Sequence, residues 1–173
     1  MWVGGDGGLM VVSAAATNIY TTFNGLPGNV VRVITGDRHG NVWVGTDRGL
    51  SCFGGGTIRR WGKSDGLSHE MINALYFDEE DRLWIGTLGG GLNCGKDGRF
   101  VFWTTRDGLF SDDVYEILED DQGYFWMSCR KGLFRVARRD LFKQKDGGLE
   151  RISSTVFSRA STVLRTALSL LSA

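Results

Sequence analysis

The sequence predicts an all-β fold of propeller blades, each of four antiparallel strands, and three recurrences predict it. Trp2, Trp43, Trp84 and Trp126 stand 41, 41 and 42 residues apart, inside the phrases WVGG, WVGT, WIGT and WMSC. A Gly-Leu pair follows each, at Gly8-Leu9, Gly49-Leu50, Gly91-Leu92 and Gly132-Leu133. A second phrase keeps the same beat, as NGL at residues 24–26 and DGL at 65–67 and 107–109. Self-similarity at a fixed period of roughly 40–50 residues marks propellers and related arrays.

The unit beginning at Gly25 shows how each element arises. Val31, Val33 and Thr35 alternate as in a strand. Asp37-Arg38-His39-Gly40 has the Asp-x-x-Gly form of a type I turn, the Asp capping it and the Gly relieving its exit. Residues 41–46 form a second strand, with Val42, Val44 and Thr46 on one face and Trp43 and Gly45 on the other. Asp47-Arg48-Gly49 turns into a third strand from Leu50, and Gly54-Gly55-Gly56 into a fourth over residues 57–61. Four such strands make a propeller blade. Ile72, Leu75, Asp78, Trp84 and Thr87 repeat the places of Val31, Ile34, Asp37, Trp43 and Thr46, and Val114, Ile117, Asp120 and Trp126 do so again. A bulky side chain beside a glycine at a repeated strand position packs blade against blade, so the tryptophans read as packing rather than as ligand platforms. Ser128, in place of that glycine in the last copy, reads as drift.

The repeats divide residues 1–142 into a partial blade (1–24) and blades over 25–65, 66–107 and 108–142. That is about three and a half blades, an incomplete ring that opens in mid-blade at a second strand. Unpaired edges at both ends lead to the expectation of a fragment of a longer protein, or of a module completed by another copy. Residues 143–173 form an atypical tail, helical or disordered. Ile152, Val156, Ala160, Val163, Ala167 and Leu170 recur at three- or four-residue steps, the pattern of a C-terminal amphipathic helix. A non-native ending with helical composition is the reading preferred over a membrane-surface or partner helix.

Twenty basic and 20 acidic residues give zero net charge, so no global field draws the chain to nucleic acid or an anionic membrane. Twenty-six glycines with one proline suit an ordered protein rich in tight turns. No apolar run is long enough to span a membrane, and no export signal stands at the N-terminus, so the chain expressed alone is expected in the cytoplasm. Cys52, Cys94 and Cys129 form no CxxC pair and read as small buried apolar side chains rather than as a disulfide or metal site. No cofactor, metal site or catalytic residue is expected: His39 and His69 fall at non-equivalent places, with no nucleophile placed by spacing to join either.

The phrases GLPGNVVRVITGDRHGNVWVGTDRGL, GLSHEMINALYFDEEDRLWIGTLGGGL and GLFSDDVYEILEDDQGYFWMSCRKGL resemble the two-component regulator propeller repeat, and the resemblance covers about residues 1–142. It implies a seven-bladed propeller, often doubled, forming the extracytoplasmic sensor of bacterial hybrid histidine kinases or related signalling proteins. An immunoglobulin-like segment then links it to a membrane helix and a transmitter. The implied location of the intact protein is periplasmic. The implied ligands are carbohydrate fragments or other small molecules, bound without catalytic residues.

In a propeller, the loops from outer strand to next inner strand share one face with the loops between second and third strands. These are residues 27–29, 68–71 and 110–113, with 47–48, 88–90 and 130–131. Binding residues concentrate on such loops, which makes Arg48, His69, Glu70, Asp112, Asp113 and Arg130 the polar candidates. His39 lies in a turn on the opposite face. The leading function is ligand sensing. The alternatives are a general protein-interaction scaffold, whose Gly-His and Trp-Asp dipeptides are missing, and a propeller-fold lyase or hydrolase.

Overall fold

The computed structural model describes residues 1–96 and 98–157. A three-stranded sheet opens the array: β1 (Trp2–Gly5), β2 (Gly8–Val12) and β3 (Thr17–Tyr20). Two four-stranded sheets follow, β4 (Val31–Gly36), β5 (Val42–Thr46), β6 (Gly49–Gly54) and β7 (Thr57–Trp61), then β8 (Ile72–Phe77), β9 (Leu83–Thr87), β10 (Leu92–Lys96) and β11 (Arg99–Trp103). The last comprises β12 (Glu116–Glu119), β13 (Tyr124–Cys129), β14 (Gly132–Ala137) and β15 (Thr155–Phe157), with helix α1 (Arg138–Lys145) between its third and fourth strands. Every pairing is antiparallel between sequential neighbours, so each sheet is an up-and-down blade. The ring is not closed.

Two readings of the tail are corrected. The last blade is not finished at residue 142: its fourth strand is β15, where Phe157 pairs with Leu133 and stacks on Trp126 at 4.9 Å. The free edge of β14 and the exposed face of Trp126 outweigh the weak helical spacing of a three-residue segment. The helix appears earlier, at α1, while Val156 lies in β15 and Ile152 in the irregular stretch before it. The rest of the proposed helix, residues 158–173, lies outside the described residues.

Each repeated phrase has one structural task. In the turns that open at Asp37, Asp78 and Asp120, the carboxylate accepts backbone N–H groups across the turn, with Asp81 at φ 57° standing where the first and last have glycine. It also accepts the indole N–H of the tryptophan six residues on, at 2.9 Å for Asp37–Trp43, 2.8 Å for Asp78–Trp84 and 2.7 Å for Asp120–Trp126. In the NGL and DGL phrases Asn24, Asp65 and Asp107 accept the N–H three residues back, from Thr21, Gly62 and Thr104. Gly66 and Gly108 then close a short 3-10 turn in the left-handed region, at φ 102° and 105°, and Leu67 and Leu109 turn into the core.

The cores lie between blades, not within them. Leu9, Leu26, Val44 and Phe53 fill the first seam, Leu50, Leu67, Ile72 and Ile85 the second, and Trp84, Trp103, Phe125 and Met127 the third. The opposite faces of β5 divide as the alternation predicts, Val44 toward the first blade and Trp43 toward the third. The glycine after each Trp-hydrophobic pair is what lets the next blade approach. A Cβ at Gly45 would come within 2.6 Å of Ile72, and one at Gly86 within 2.7 Å of Val114. Ser128 is therefore not drift alone, for among the described residues no further blade packs on that face. Gly86→Ala is expected to cost about 1–3 kcal/mol through overpacking, read as a lower urea midpoint. Ser128→Ala should leave the midpoint nearly unchanged.

Candidate functional site

The first strands of successive blades lie side by side along the axis about which the array curves, and each carries an irregularity at the same place. The β4–β5 register jumps between Val31 and Val33, and the β8–β9 register between Ile72 and Ala74. In the last blade the N–H groups of Val114 and Tyr115 bond the Thr87 and Ser128 carbonyls just before Glu116 pairs with Ser128. The extra residues are Arg32, Asn73 and Tyr115. A bulge leaves one residue unpaired, bends the strand and re-aims that side chain. All three line one hollow of about 460 Å³, together with Asp6, Val30 and Val31. Arg32 Nη1 donates to Asn73 Oδ1 at 3.1 Å, and Asn73 Nδ2 to the Val114 carbonyl at 3.4 Å, which ties the three blades together across the hollow.

The loops of the predicted face surround this hollow. The Asp47 N–H donates to the Val30 carbonyl at 3.0 Å, and the Leu88 N–H to the Met71 carbonyl at 3.0 Å, so each loop between second and third strands rests on the entry to a first strand. Arg130 is exposed beside Tyr115, whose hydroxyl, with the Asp113 carboxylate, raises its pKa above the ordinary arginine value. Neither Asp113 nor Arg130 lines the hollow itself. Arg48 is exposed and leans on Asp47 at 3.9 Å. His69 is half-buried against Gly89 and Gly90, its Nδ1 accepting the Met71 N–H at 3.1 Å, and Glu70 is exposed. Asp112 is engaged within its own loop. Its carboxylate accepts the Thr105 N–H at 2.7 Å and hydroxyl at 3.0 Å, and its carbonyl accepts the Gly89 and Gly91 N–H groups.

Sequence reasoning missed Arg32, Asn73 and Tyr115. A signal was available: at 41- and 42-residue spacing, each follows the apolar residue that opens its blade, Val31, Ile72 or Val114. His39 is exposed at the other end of the blades, 3.8 Å from Asp81. Among the described residues no three His, Cys, Asp or Glu side chains converge as a metal site. The three cysteines are buried free thiols, and burial pushes Cys94 up to about 12, beyond any reactive range.

The fold defines the class: an open run of β-propeller blades. More particularly, residues 25–48 and 66–89, in the second and third blades, match the family model described as two component regulator propeller. No curated protein matches the chain significantly. Among solved structures, it is similar to one described as the extracellular domain of the hybrid two component system BT3049 from B. thetaiotaomicron. That match has 22% identity and a TM-score of 0.68, over 91% of this chain and 21% of that one. The extracellular domain of the one component system BT4673 from the same organism gives 18% identity and a TM-score of 0.68, over 80% and 22% of the two chains. PorZ, a surface component of the type-IX secretion system of Porphyromonas gingivalis, gives 15% identity and 0.63, over 89% and 25%. The chain thus spans 21% to 25% of the length of these structures. Among the described residues no helix is long and apolar enough to cross a membrane.

Proposed function

We propose that the chain is a ligand-sensing propeller segment of a bacterial two-component-type signalling protein, binding at the channel mouth without chemistry. One observation carries the reading: the bulged residues Arg32, Asn73 and Tyr115 line a common hollow, with Arg130 and Asp113 beside it. Polar groups converging on a concavity of a rigid scaffold make a binding site. The ligand class is a small saccharide or similar polyhydroxylated molecule, matched by the mix of guanidinium, amide and phenol. Arg48, His69 and Glu70 form the rim on the neighbouring loops. The segment is one part of a longer extracytoplasmic sensor. The Trp126–Phe157 face of its last blade seats the sensor's remaining blades or a second copy.

Thermal unfolding against a panel of oligosaccharides tests this. A binding saccharide is expected to raise the Tm saturably, with about 2.7 kcal/mol of stabilisation at a hundredfold excess over Kd. Tyr115→Ala and Arg32→Ala should abolish the shift, and mass spectrometry should recover the saccharide intact. A cleaved product would instead establish the lyase or hydrolase alternative. A shift indifferent to both substitutions would place the site elsewhere.

A further inference from the structure

The seams between blades are not closed alike at the end opposite the channel mouth. At the third seam α1 folds back over the aromatic pair of the preceding blade. Phe142 stands edge-on to Trp84 at 5.6 Å and to Trp103 at 6.0 Å, and the Leu141 carbonyl accepts the Trp103 indole N–H at 3.0 Å. Trp84 and Trp103 are both fully buried as a result. The second seam carries the same pair one repeat earlier, Trp43 stacked on Trp61 at 5.2 Å and 16°. There the facing blade joins its third and fourth strands by a tight turn at Gly98 instead of a helix. Trp43 and Trp61 stay half-buried, and a groove of about 1160 Å³ opens along them. A hollow of about 70 Å³ beneath it is walled by Trp43, Trp61, Phe77, Leu83 and Phe100. The carboxylates of Asp37, Glu80 and Asp81 outnumber the cations of Arg59 and Lys96 along the groove.

We infer that this groove is a docking site for a peptide segment of a partner polypeptide. The segment sets one aromatic side chain into the hollow against Trp43 and Trp61, and offers the preceding carbonyl to the Trp61 indole N–H. The third seam supplies the template: the same aromatic wall, in the same chain, is covered by a Leu-Phe step that makes those two contacts. A short helix of basic and apolar residues, as in α1, satisfies wall and rim together. Helix-in-groove docking commonly reads a few anchors in this way.

The test uses the whole chain, ¹⁵N-labelled, and a capped peptide with the sequence of residues 137–147. Indole N–H resonances of Trp43 and Trp61, identified through Trp43→Phe and Trp61→Phe, are expected to shift saturably, while that of Trp103 stays in place. A peptide with alanine at its phenylalanine should bind about tenfold more weakly or worse. Thr57→Tyr, at an exposed position on the rim, should block the groove without touching a core. Three outcomes overturn the inference: no saturable shift at millimolar peptide, equal shifts from both peptides, or shifts of the Trp61 signal with methyl glucoside and not with peptide. The channel-mouth saccharide assay is independent of all three.

Discussion

Asp78→Ala is expected to destabilise the chain by about 3–5 kcal/mol, the loss that follows removal of one partner from a buried charged network. Asp78 is buried, and its carboxylate accepts the Trp84 indole at 2.8 Å, the Glu80 and Arg82 backbone N–H groups at 3.0 and 2.9 Å, and Arg82 Nε at 2.7 Å. Arg138, from the start of α1, reaches the same oxygen at 3.4 Å. Alanine leaves all of these donors facing a void in the third seam. A urea titration reads the loss as a lowered midpoint at unchanged slope. The same carboxylate makes stability fall in acid. Burial pushes its pKa up, but the Trp84 and Arg82 hydrogen bonds overcome this and hold it below the ordinary 3.8, and Asp37, Asp107 and Asp120 are likewise held low. Carboxyls depressed by folding stabilise above their unfolded pKa, and that stabilisation is lost as pH falls through the folded values. Stability should therefore drop below about pH 4, and Asp78→Asn should flatten the drop at a lower plateau. Glu119, raised above its ordinary 4.5 chiefly by burial, works in the opposite sense and blunts the upper end of the transition.

Trp84→Ala should cost a similar amount, about 3–5 kcal/mol, by leaving a large cavity. Trp84 meets Phe125 edge-on at 4.6 Å, stacks with Trp103 at 5.7 Å and touches Phe142 of α1, so three elements lose their common neighbour. Against a total stability of about 5–15 kcal/mol for a domain, either substitution brings the chain close to its unfolding threshold. Trp126→Ala is the control. Trp126 keeps the Asp120 bond but is only half-buried, so its truncation should lower the Tm distinctly less. Circular dichroism melts of the two variants distinguish a seam covered on both sides from one covered on a single side.

Blade architecture was legible because each blade repeats both the turn and the residues the turn serves. The Asp-x-x-Gly tetrapeptide announced a turn. The constant six-residue step from Asp to Trp, which marks the indole bond, went unread although it recurs in three copies. α1 was not legible: only Leu141 of its eight residues is buried, and its place is fixed by Trp84 and Trp103 far back in the chain. Its insertion also displaced the last outer strand. The aromatic that answers to Trp61 and Trp103 in the last blade is Phe157, and a segment of three residues has no period of its own. At the candidate site, loop topology pointed to the end of the blades where the hollow lies, but to none of the residues that line it. The bulged residues escaped because a one-residue slip in pairing leaves no mark on composition. Asp112, one of the polar loop candidates, is engaged by Thr105, a contact that only the folded loop brings about.

The placement of every core at a seam has a consequence for how such a chain gains and loses length. A blade by itself has two greasy faces and no interior, so the unit of stability is the joint, and a run of blades owns one joint fewer than it has blades. Adding a blade at an end contributes one joint, whereas excising one from the middle destroys two and remakes one only if the new neighbours fit. Growth and shrinkage from the ends, in whole steps of about 41 residues, is then the path along which intermediates remain folded. Fraying should follow the same path, beginning at the terminal blades and meeting its greatest resistance at the joint locked by Trp84 and α1.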